Sequence, residues 1–325
     1  MNAKQTQIEF KECGLSPVVV LDNAQNAVPL AKALLAGGVW IMEITLRTEQ
    51  ALEAISLVSR EVPEIIVGAG TVINGDLARK ALEAGAKFFV SPGFSSEVAE
   101  VARENDILYV PGAATMTEVM YAINSGYDLV KIFPAGKLGG IDFIREIHSV
   151  FPNLTFMPSG GVNQKNMESY LDDSFIGAVS GSWMCPKKLI EEGKFDEITT
   201  ICKQTVEQLH GFSLLHIGIN NKNDQEAKTA ADSLGSLLGL PVTDRGTAYF
   251  VGEMADVIKY ELPCQHGHIA IQVNNMDRAI RYFKDKNYRF TDLGLGKDDQ
   301  GNIVAIWFDP EQVNINGFAV HLRRK

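Results

Sequence analysis

Short apolar runs alternate with amphipathic segments from Pro17 to about Pro186. Such runs are typical of strands covered on both faces, and the segments between them have the spacing of helices. The predicted strands are 18–21, 41–46, 64–72, 88–94, 108–113, 129–133, 155–158 and 177–182. The predicted helices are 27–36, 49–60, 75–84, 96–104, 116–124, 140–150 and 164–171. This α/β pattern fits a (β/α)8 TIM barrel or a doubly wound open sheet, and eight strand-helix units favour the barrel.

One predicted strand contains a lysine. The apolar run Leu129–Ala135 includes Lys131 near its middle. Lysine is almost never fully buried unless it is paired, and burial favours the neutral amine, which is a nucleophile. The alternative is a lysine at the edge of a strand whose ammonium group reaches solvent. The polar residues at other strand ends favour the nucleophile.

Polar side chains also interrupt the second predicted strand. Its period of two places Glu43, Thr45 and Arg47 on one face and Ile44 and Leu46 on the other. Functional side chains of a TIM barrel gather where strands end and the following loops begin. We therefore expect Glu43 and Arg47 to belong to a site at that end of the barrel.

Three strand ends are rich in small residues. The third strand ends in Gly68-Ala69-Gly70 followed by Thr71, the seventh in Ser159-Gly160-Gly161, and the eighth in Ser180-Gly181-Ser182. Barrels often hold a phosphate between the loops after strands seven and eight, on backbone N–H groups that glycine leaves accessible. The two last loops together predict a phosphate or carboxylate site.

A second domain begins near Gly211 and contains an internal repeat. The alternating segments 216–220 and 268–272 both begin with histidine, and each is followed by a predicted helix, at 225–238 and at 277–286. Later strands are predicted at 257–262 and 318–322. The sequence thus predicts two domains, 1–210 and 211–325, the second a smaller α+β domain of two βαββ-like repeats. Aligning the repeat ends places Glu261 opposite His321.

Composition narrows the choice of partners. The chain is 46% hydrophobic and 22% charged, with a net charge of −10. This acidity argues against binding to nucleic acid or to an anionic membrane, although local amides and an arginine can still hold a small anion. The first 14 residues lack an apolar signal core, so a cytoplasmic protein is expected. The four cysteines form no CxxC pair, which argues against a zinc site or a disulfide framework.

The motifs of residues 16–186 resemble those of the 2-keto-3-deoxy-6-phosphogluconate (KDPG) and 4-hydroxy-2-oxoglutarate (KHG) aldolases of the Entner-Doudoroff type. They include AVPLAKALLAGGV, EITLRTEQALEAI, VGAGTV, KIFPA, PSGG and SGSWM. The resemblance implies class I cleavage of a small 2-keto acid, giving pyruvate with glyceraldehyde 3-phosphate or glyoxylate, without a cofactor and in a trimer.

The same resemblance assigns roles to individual residues. Lys131 would form the Schiff base and Glu43 would act as general acid and base. The substrate-binding residues that it implies are Arg47 and Thr71 for the carboxylate, Phe133 as an aromatic wall, and Ser159, Gly160, Gly161 and Ser182 toward the distal phosphate. Two departures bear on the preferred sugar acid: Ser159 stands where PTGG is familiar, and the strand 17–21 lacks the arginine of some relatives.

The second domain resembles the vicinal oxygen chelate superfamily, which includes glyoxalase relatives. That resemblance implies a divalent metal held by His216, Glu261, His268 and His321, and imidazole with carboxylate suits Zn, Fe, Ni or Mn. The alternative is a domain that serves packing or oligomerisation.

Two other functions fit parts of the pattern. A noncatalytic sugar-acid sensor would need neither a buried amine nor a proton shuttle, so the presence of Lys131 and Glu43 disfavours it. A phosphate-binding barrel of another class, such as an epimerase, would not require an imine at Lys131.

Overall fold

The computed structural model describes residues 1–262 and 264–325. The chain divides into two compact units, Met1–Leu209 and His210–Lys325. No helix in the described part of the chain is long and apolar enough to cross a membrane.

The first unit begins with helix α1 (Ala3–Cys13), which the sequence analysis did not predict. The side chain of Asn2 accepts a hydrogen bond from the Gln5 N–H at its start, and Gly14 ends it in the left-handed conformation. The helix is polar on average, but it buries Phe10, whose ring lies edge-on to Phe88 at 4.8 Å between centroids. A few buried side chains therefore hold in place a helix whose overall pattern is that of a polar tail.

Parallel strands form the centre of this unit. They are β1 (Leu15–Val19), β2 (Ile41–Thr45), β3 (Ile66–Gly70), β4 (Phe88–Val90), β5 (Leu108–Val110), β6 (Gly112–Ala113), β7 (Leu129–Ile132), β8 (Thr155–Pro158) and β9 (Val179–Gly181). One sheet runs β5-β4-β3-β2-β1-β9 and another β6-β7-β8. Only Pro111 separates β5 from β6, and it carries the chain from one sheet to the other. Parallel bridges at Phe156–Ile176 and Ser159–Ser180 join β8 to the β9 segment and close the barrel.

Helices alternate with these strands. They are α2 (Ala27–Ala36), α3 (Ala51–Glu61), α4 (Gly75–Glu83), α5 (Ser96–Glu104), α6 (Met116–Asn124), α7 (Gly140–Val150), α8 (Met167–Leu171), α9 (Lys187–Glu191) and α10 (Phe195–His210). Side chains cap several of them; Thr115 and Glu118 form a capping box at the start of α6. The nine strands count as eight because β5 and β6 are one interrupted strand, and the predicted eight-stranded α/β barrel is confirmed.

The described residues of the second unit form a single sheet with two helices. Its elements are β10 (Ser213–Ile219), α11 (Asp224–Leu238), β11 (Val242–Asp244), β12 (Ala248–Val251), β13 (Ala255–Ile258), β14 (Gly267–Val273), α12 (Met276–Asp285), β15 (Phe290–Lys297), β16 (Ile303–Phe308) and β17 (Phe318–Arg324). Strand order is β11-β12-β13-β10-β14-β17-β16-β15. Each repeat is therefore βαβββ, with one strand more than the predicted βαββ.

The two repeats meet at the centre of this sheet, where β10 and β14 pair antiparallel. Each helix covers its own half. One core contains Val251 and Val257 beside α11, and the other contains Val320 and Leu322 beside α12. Because side chains alternate along a strand, His321 lies on the opposite face of the sheet from α11 and α12.

Candidate active site and histidine cluster

Lys131 and Glu43 face each other inside the barrel. Lys131 lies on β7 and Glu43 on β2, and both side chains are buried. The Lys131 Nζ is 3.6 Å from Glu43 Oε1. The hydroxyl of Ser180, on β9, donates a hydrogen bond of 3.4 Å to the other carboxylate oxygen of Glu43. The barrel thus presents an amine and a carboxylate side by side, with Ser180 orienting the carboxylate.

Glycine at position 70 makes space for this carboxylate. A Cβ added to Gly70 would lie 2.2 Å from Glu43 Oε1 and 2.7 Å from its Cγ, closer than any real contact allows. From the sequence alone, packing is the more common role of small residues in a barrel strand, and close approach of a ligand is the alternative. In the structure Gly70 leaves the space that the Glu43 carboxylate occupies.

Arg47 and Thr71 lie just beyond the strand ends. Arg47 is exposed, and its Nε donates a hydrogen bond of 3.2 Å to the hydroxyl of Thr45, which itself donates to the Val19 carbonyl at 2.9 Å. Thr71 follows β3 with a φ of 60°, a left-handed conformation that non-glycine residues rarely adopt. Backbone strain of this kind is concentrated at functional sites.

Phe133 forms the side of the site next to Lys131. Its ring centre is 5.4 Å from the Lys131 Nζ, and 38% of the residue is exposed. A Cβ added to Gly160 would come within 3.0 Å of this ring. The aromatic ring and the glycine loop after β8 are therefore in close contact.

The loops after β8 and β9 contain the remaining predicted residues. Gly160 and Gly161 have φ values of 81° and 89°, which an L side chain would resist. Ser159 is buried and Ser182 is exposed, directly after β9. The N–H of Gly136 donates to the Gly160 carbonyl at 2.8 Å, which fixes this loop against the turn after β7.

This arrangement suits carbonyl chemistry on an anion. A buried amine can add to a keto carbon, a carboxylate 3.6 Å away can move the protons, and an arginine with glycine-rich loops can hold acidic groups. Ser180 is a functional residue that sequence reasoning missed. It is inconspicuous in the run Ser180-Gly181-Ser182, and only closure of the barrel brings it to Glu43.

Comparison with known proteins agrees with this geometry. Residues 7–201 match the family model described as KDPG and KHG aldolase. The chain belongs to the KDPG and KHG aldolase family. The predicted family and enzyme class, a carbon-carbon lyase, are thereby confirmed for the barrel.

Individual members of the family are similar over nearly their whole length. The 2-dehydro-3-deoxy-phosphogluconate aldolase of Pseudoalteromonas atlantica is 40% identical over 201 residues, which are 62% of this chain and 94% of the relative. The KHG/KDPG aldolase of Escherichia coli is 41% identical over 191 residues, 59% of this chain and 90% of the relative.

A solved structure gives the same result. The KDPG aldolase of Legionella pneumophila, with pyruvate captured as a covalent carbinolamine intermediate, is 38% identical and has a TM-score of 0.59. The alignment covers 61% of this chain and 96% of that one.

Three buried histidines converge on the face of the second unit's sheet that lies opposite α11 and α12. His216 lies on β10, His268 on β14 and His321 on β17, and one ligand atom of each lies within 4.8 Å of the others. The Nε2 atoms of His216 and His268 are 3.1 Å apart. Both repeats thus contribute to one cluster.

The carboxylate beside this cluster is Asp256, not the predicted Glu261. Asp256 Oδ2 is 3.6 Å from His216 Nε2, and Oδ1 is 3.4 Å from His268 Nε2. Strand β13 ends at Ile258, so Glu261 lies beyond it and is exposed. The prediction aligned the ends of the repeats, but β13 is shorter than β17, and the shift places an earlier residue on the histidine face.

Burial keeps these histidines neutral. It lowers the pKa of His268 to about 4 and that of His321 to about 3, with nearby histidines adding to the effect, and it also lowers the pKa of His216. Burial raises the pKa of Asp256 to about 6. Within the described residues, both ring nitrogens of His321, the Nδ1 of His268 and the Oδ1 of Asp256 are buried without a hydrogen-bond partner. Neutral imidazoles with free lone pairs are the form that binds a metal.

Replacing Gly70 with alanine is expected to lower kcat by about 10²-fold, because the new Cβ displaces the Glu43 carboxylate and a shift of about 1 Å costs that much. Steady-state kinetics with KDPG measure the change. Gly93→Ala is the matched control, since an added Cβ there meets nothing within 4 Å. Equal activity of both variants would contradict the role assigned to Gly70.

Acid is expected to destabilise the metal-free second unit. Below a pH of about 6.5 the histidines take up protons in the unfolded state but stay neutral in the folded state, because their folded-state pKa values are lower. The free energy of unfolding therefore decreases as the pH falls toward those lowered pKa values. Asp256 acts oppositely, because its raised pKa favours the folded state below about 6. The pKa of His210, at the start of this unit, is also lowered by burial to about 4, so three histidines outweigh one carboxylate, and we expect a loss of roughly 4 to 5 kcal/mol between pH 7.5 and 5.

Urea unfolding with a chelator present, at both pH values, measures this difference. His321→Gln should reduce the pH dependence because it removes one buried imidazole. A second unit that is equally stable at both pH values would contradict the prediction.

Proposed function

We propose that the barrel cleaves KDPG, KHG or both through a Schiff base on Lys131. The observation that carries the proposal is the buried pair of Lys131 and Glu43, 3.6 Å apart, in a barrel of this family. The products would be pyruvate with glyceraldehyde 3-phosphate from KDPG, or pyruvate with glyoxylate from KHG.

Each step has a group to perform it. The Lys131 amine, after losing its proton, adds to the keto carbon, and Glu43 returns a proton to the hydroxyl that leaves as water, which gives an iminium. The carbon-carbon bond then breaks with its electrons moving into the iminium, while Glu43 removes the proton of the substrate hydroxyl whose carbon becomes the aldehyde. A proton returned to the enamine and hydrolysis release pyruvate and Lys131. The iminium is the electron sink, so this route requires no metal.

The remaining residues would bind the ends of the substrate. Arg47 and Thr71 are the proposed carboxylate ligands, and Phe133 lines the chain of the substrate. Ser159, Gly160, Gly161 and Ser182 form the proposed site for the distal anion. In support, the KDPG aldolase of Zymomonas mobilis, 36% identical, has been solved with 3-phosphoglycerate, a molecule that carries both a carboxylate and a phosphate. A trimeric, cytoplasmic enzyme remains part of the proposal.

Borohydride reduction in the presence of pyruvate is expected to trap a stable adduct on Lys131, identified by intact mass and peptide mapping. Lys131→Met should form no adduct and lose activity by a factor on the order of 10³ or more. The exposed Lys80→Met is the control and should behave as the parent chain. A folded parent chain that forms no adduct would favour a noncatalytic sugar-acid sensor instead.

We also propose that the second unit, residues 211–325 of the predicted division, is a glyoxalase-like domain that binds a divalent metal. His216, His268, His321 and Asp256 would hold the ion. Their buried polar atoms without partners support this, because such atoms cost free energy unless a ligand satisfies them. Three imidazoles and one carboxylate suit Zn, Fe, Ni or Mn, which would act as a Lewis acid when bound. A domain serving only packing or oligomerisation would not need these atoms aligned.

Elemental analysis of the full chain, dialysed against Zn²⁺, Ni²⁺ or Mn²⁺, is expected to find one ion per chain. His321→Ala and Asp256→Ala should each reduce it well below that ratio. The exposed His266→Ala is the control and should retain the ion. At a metal concentration of 100 times the Kd, binding should stabilise the unit by about 2.7 kcal/mol. A ratio unchanged by His321→Ala would show that any bound ion lies elsewhere.

A further inference from the structure

An apolar cavity of about 240 Å³ adjoins the histidine cluster of the second unit. Leu262, Leu293, Trp307, Phe308 and Ala319 are among the residues that line it. Leu293 is 66% exposed, and leaving that much apolar side chain in water costs free energy that a bound apolar group would recover. A concave, mostly apolar surface beside a few converging polar groups is the usual form of a small-molecule site.

Trp307 joins the cavity to the cluster. Its ring stacks on His321, with centroids 4.4 Å apart and planes at 19°, and lies edge-on to His268 at 5.2 Å. A Cβ added to Gly294 would lie 2.6 Å from the Trp307 Nε1, so only glycine permits β15 to approach the ring. The cavity and the histidines therefore share one wall.

Strand β17 contributes one residue to the cavity, one to the histidine cluster and one positive charge beyond them. Ala319, His321 and Arg323 are two residues apart and so lie in a row on the same face. Ala319 lines the cavity and His321 belongs to the cluster. Arg323 is exposed and lies two residues beyond His321 on this face, so a cation follows the cluster along the strand.

Arg323 is exposed and forms no ion pair within 4.0 Å among the described residues, although its charge acts on Asp256; the neighbouring Arg324 lies 4.0 Å from Asp298. An exposed guanidinium that no carboxylate contacts directly, beside a group of neutral imidazoles, favours a ligand with a negative charge. Along β17 the spatial order is therefore the apolar cavity beside Ala319, the proposed metal-binding His321, and the positively charged Arg323.

We propose that the second unit binds a small carboxylate that has an apolar substituent, with the substituent in the cavity against Trp307 and the carboxylate between His321 and Arg323. This inference rests on the proposed histidine site and adds its ligand class. Sugar phosphates and nucleotides are disfavoured, because Cys264 and Thr291 are the main polar side chains of the cavity and offer few hydrogen bonds to hydroxyl groups.

The probes that test this are 3-phenyllactate, lactate and 3-phenylpropanol. None has a ketone, so none can form a Schiff base with Lys131 in the barrel. Titration calorimetry on the full chain loaded with Ni²⁺ should show 3-phenyllactate binding at least tenfold more tightly than lactate, which lacks the ring, and than 3-phenylpropanol, which lacks the carboxylate.

Two variants separate the two ends of the ligand. Leu293→Asp should abolish the preference for 3-phenyllactate over lactate, and Arg323→Gln should weaken 3-phenyllactate about tenfold while leaving 3-phenylpropanol unchanged. Both positions are exposed, which allows folding, and circular dichroism checks it. Leu237→Asp, on α11 and 79% exposed, is the matched control and should bind as the parent chain does.

Equal affinity for 3-phenyllactate and lactate, or affinities unaffected by Leu293→Asp, would overturn the proposal. Repeating the titrations on the metal-free chain shows whether the ligand proposal or the metal proposal has failed. If elemental analysis finds no ion but 3-phenyllactate still binds more tightly than lactate and responds to Leu293→Asp, the metal proposal fails and the cavity assignment stands.

Discussion

The close approach of an amine and a carboxylate within a closed barrel is the constraint on which the first unit depends. Lys131 and Glu43 are buried 3.6 Å apart, and a buried charged group without a partner would destabilise the fold by several kcal/mol. Each therefore needs the other. The glycine at position 70 and the hydroxyl of Ser180 then follow from the need to fit and orient that carboxylate.

The histidine cluster differs from the barrel pair because several of its buried polar atoms lack a partner within the described chain. Its members are buried and neutral; the Nε2 atoms of His216 and His268 lie 3.1 Å apart, but the Nδ1 of His268 and both ring nitrogens of His321 have no hydrogen-bond partner among the described residues. In the barrel, the amine and the carboxylate compensate each other within the chain, whereas in the second unit a bound ion would satisfy the atoms that lack partners. This difference is a physical reason to assign one site to covalent chemistry on the chain itself and the other to a bound ion.

Sequence periodicity was sufficient for the barrel because long stretches of apolar and amphipathic residues repeat there. Helix α5 occupies the residues predicted for it, and Lys131 stands out as a charged residue in an apolar run. Helix α1 was missed because only a few of its residues, such as Phe10, are buried. Asp256 was missed for another reason: the lengths of β13 and β17 differ, and no local pattern reveals which residues of two unequal strands lie side by side.

The location of the histidines on β10, β14 and β17 has a consequence for chain topology. His216 and His321 are 105 residues apart in sequence (321 − 216), yet they face the same point. An ion bound there would close a loop that includes nearly the whole second unit and would act as a reversible cross-link between its first and last strands. Closing so long a loop removes conformational freedom from the unfolded chain, so the ion would determine how this unit unfolds as well as what it binds.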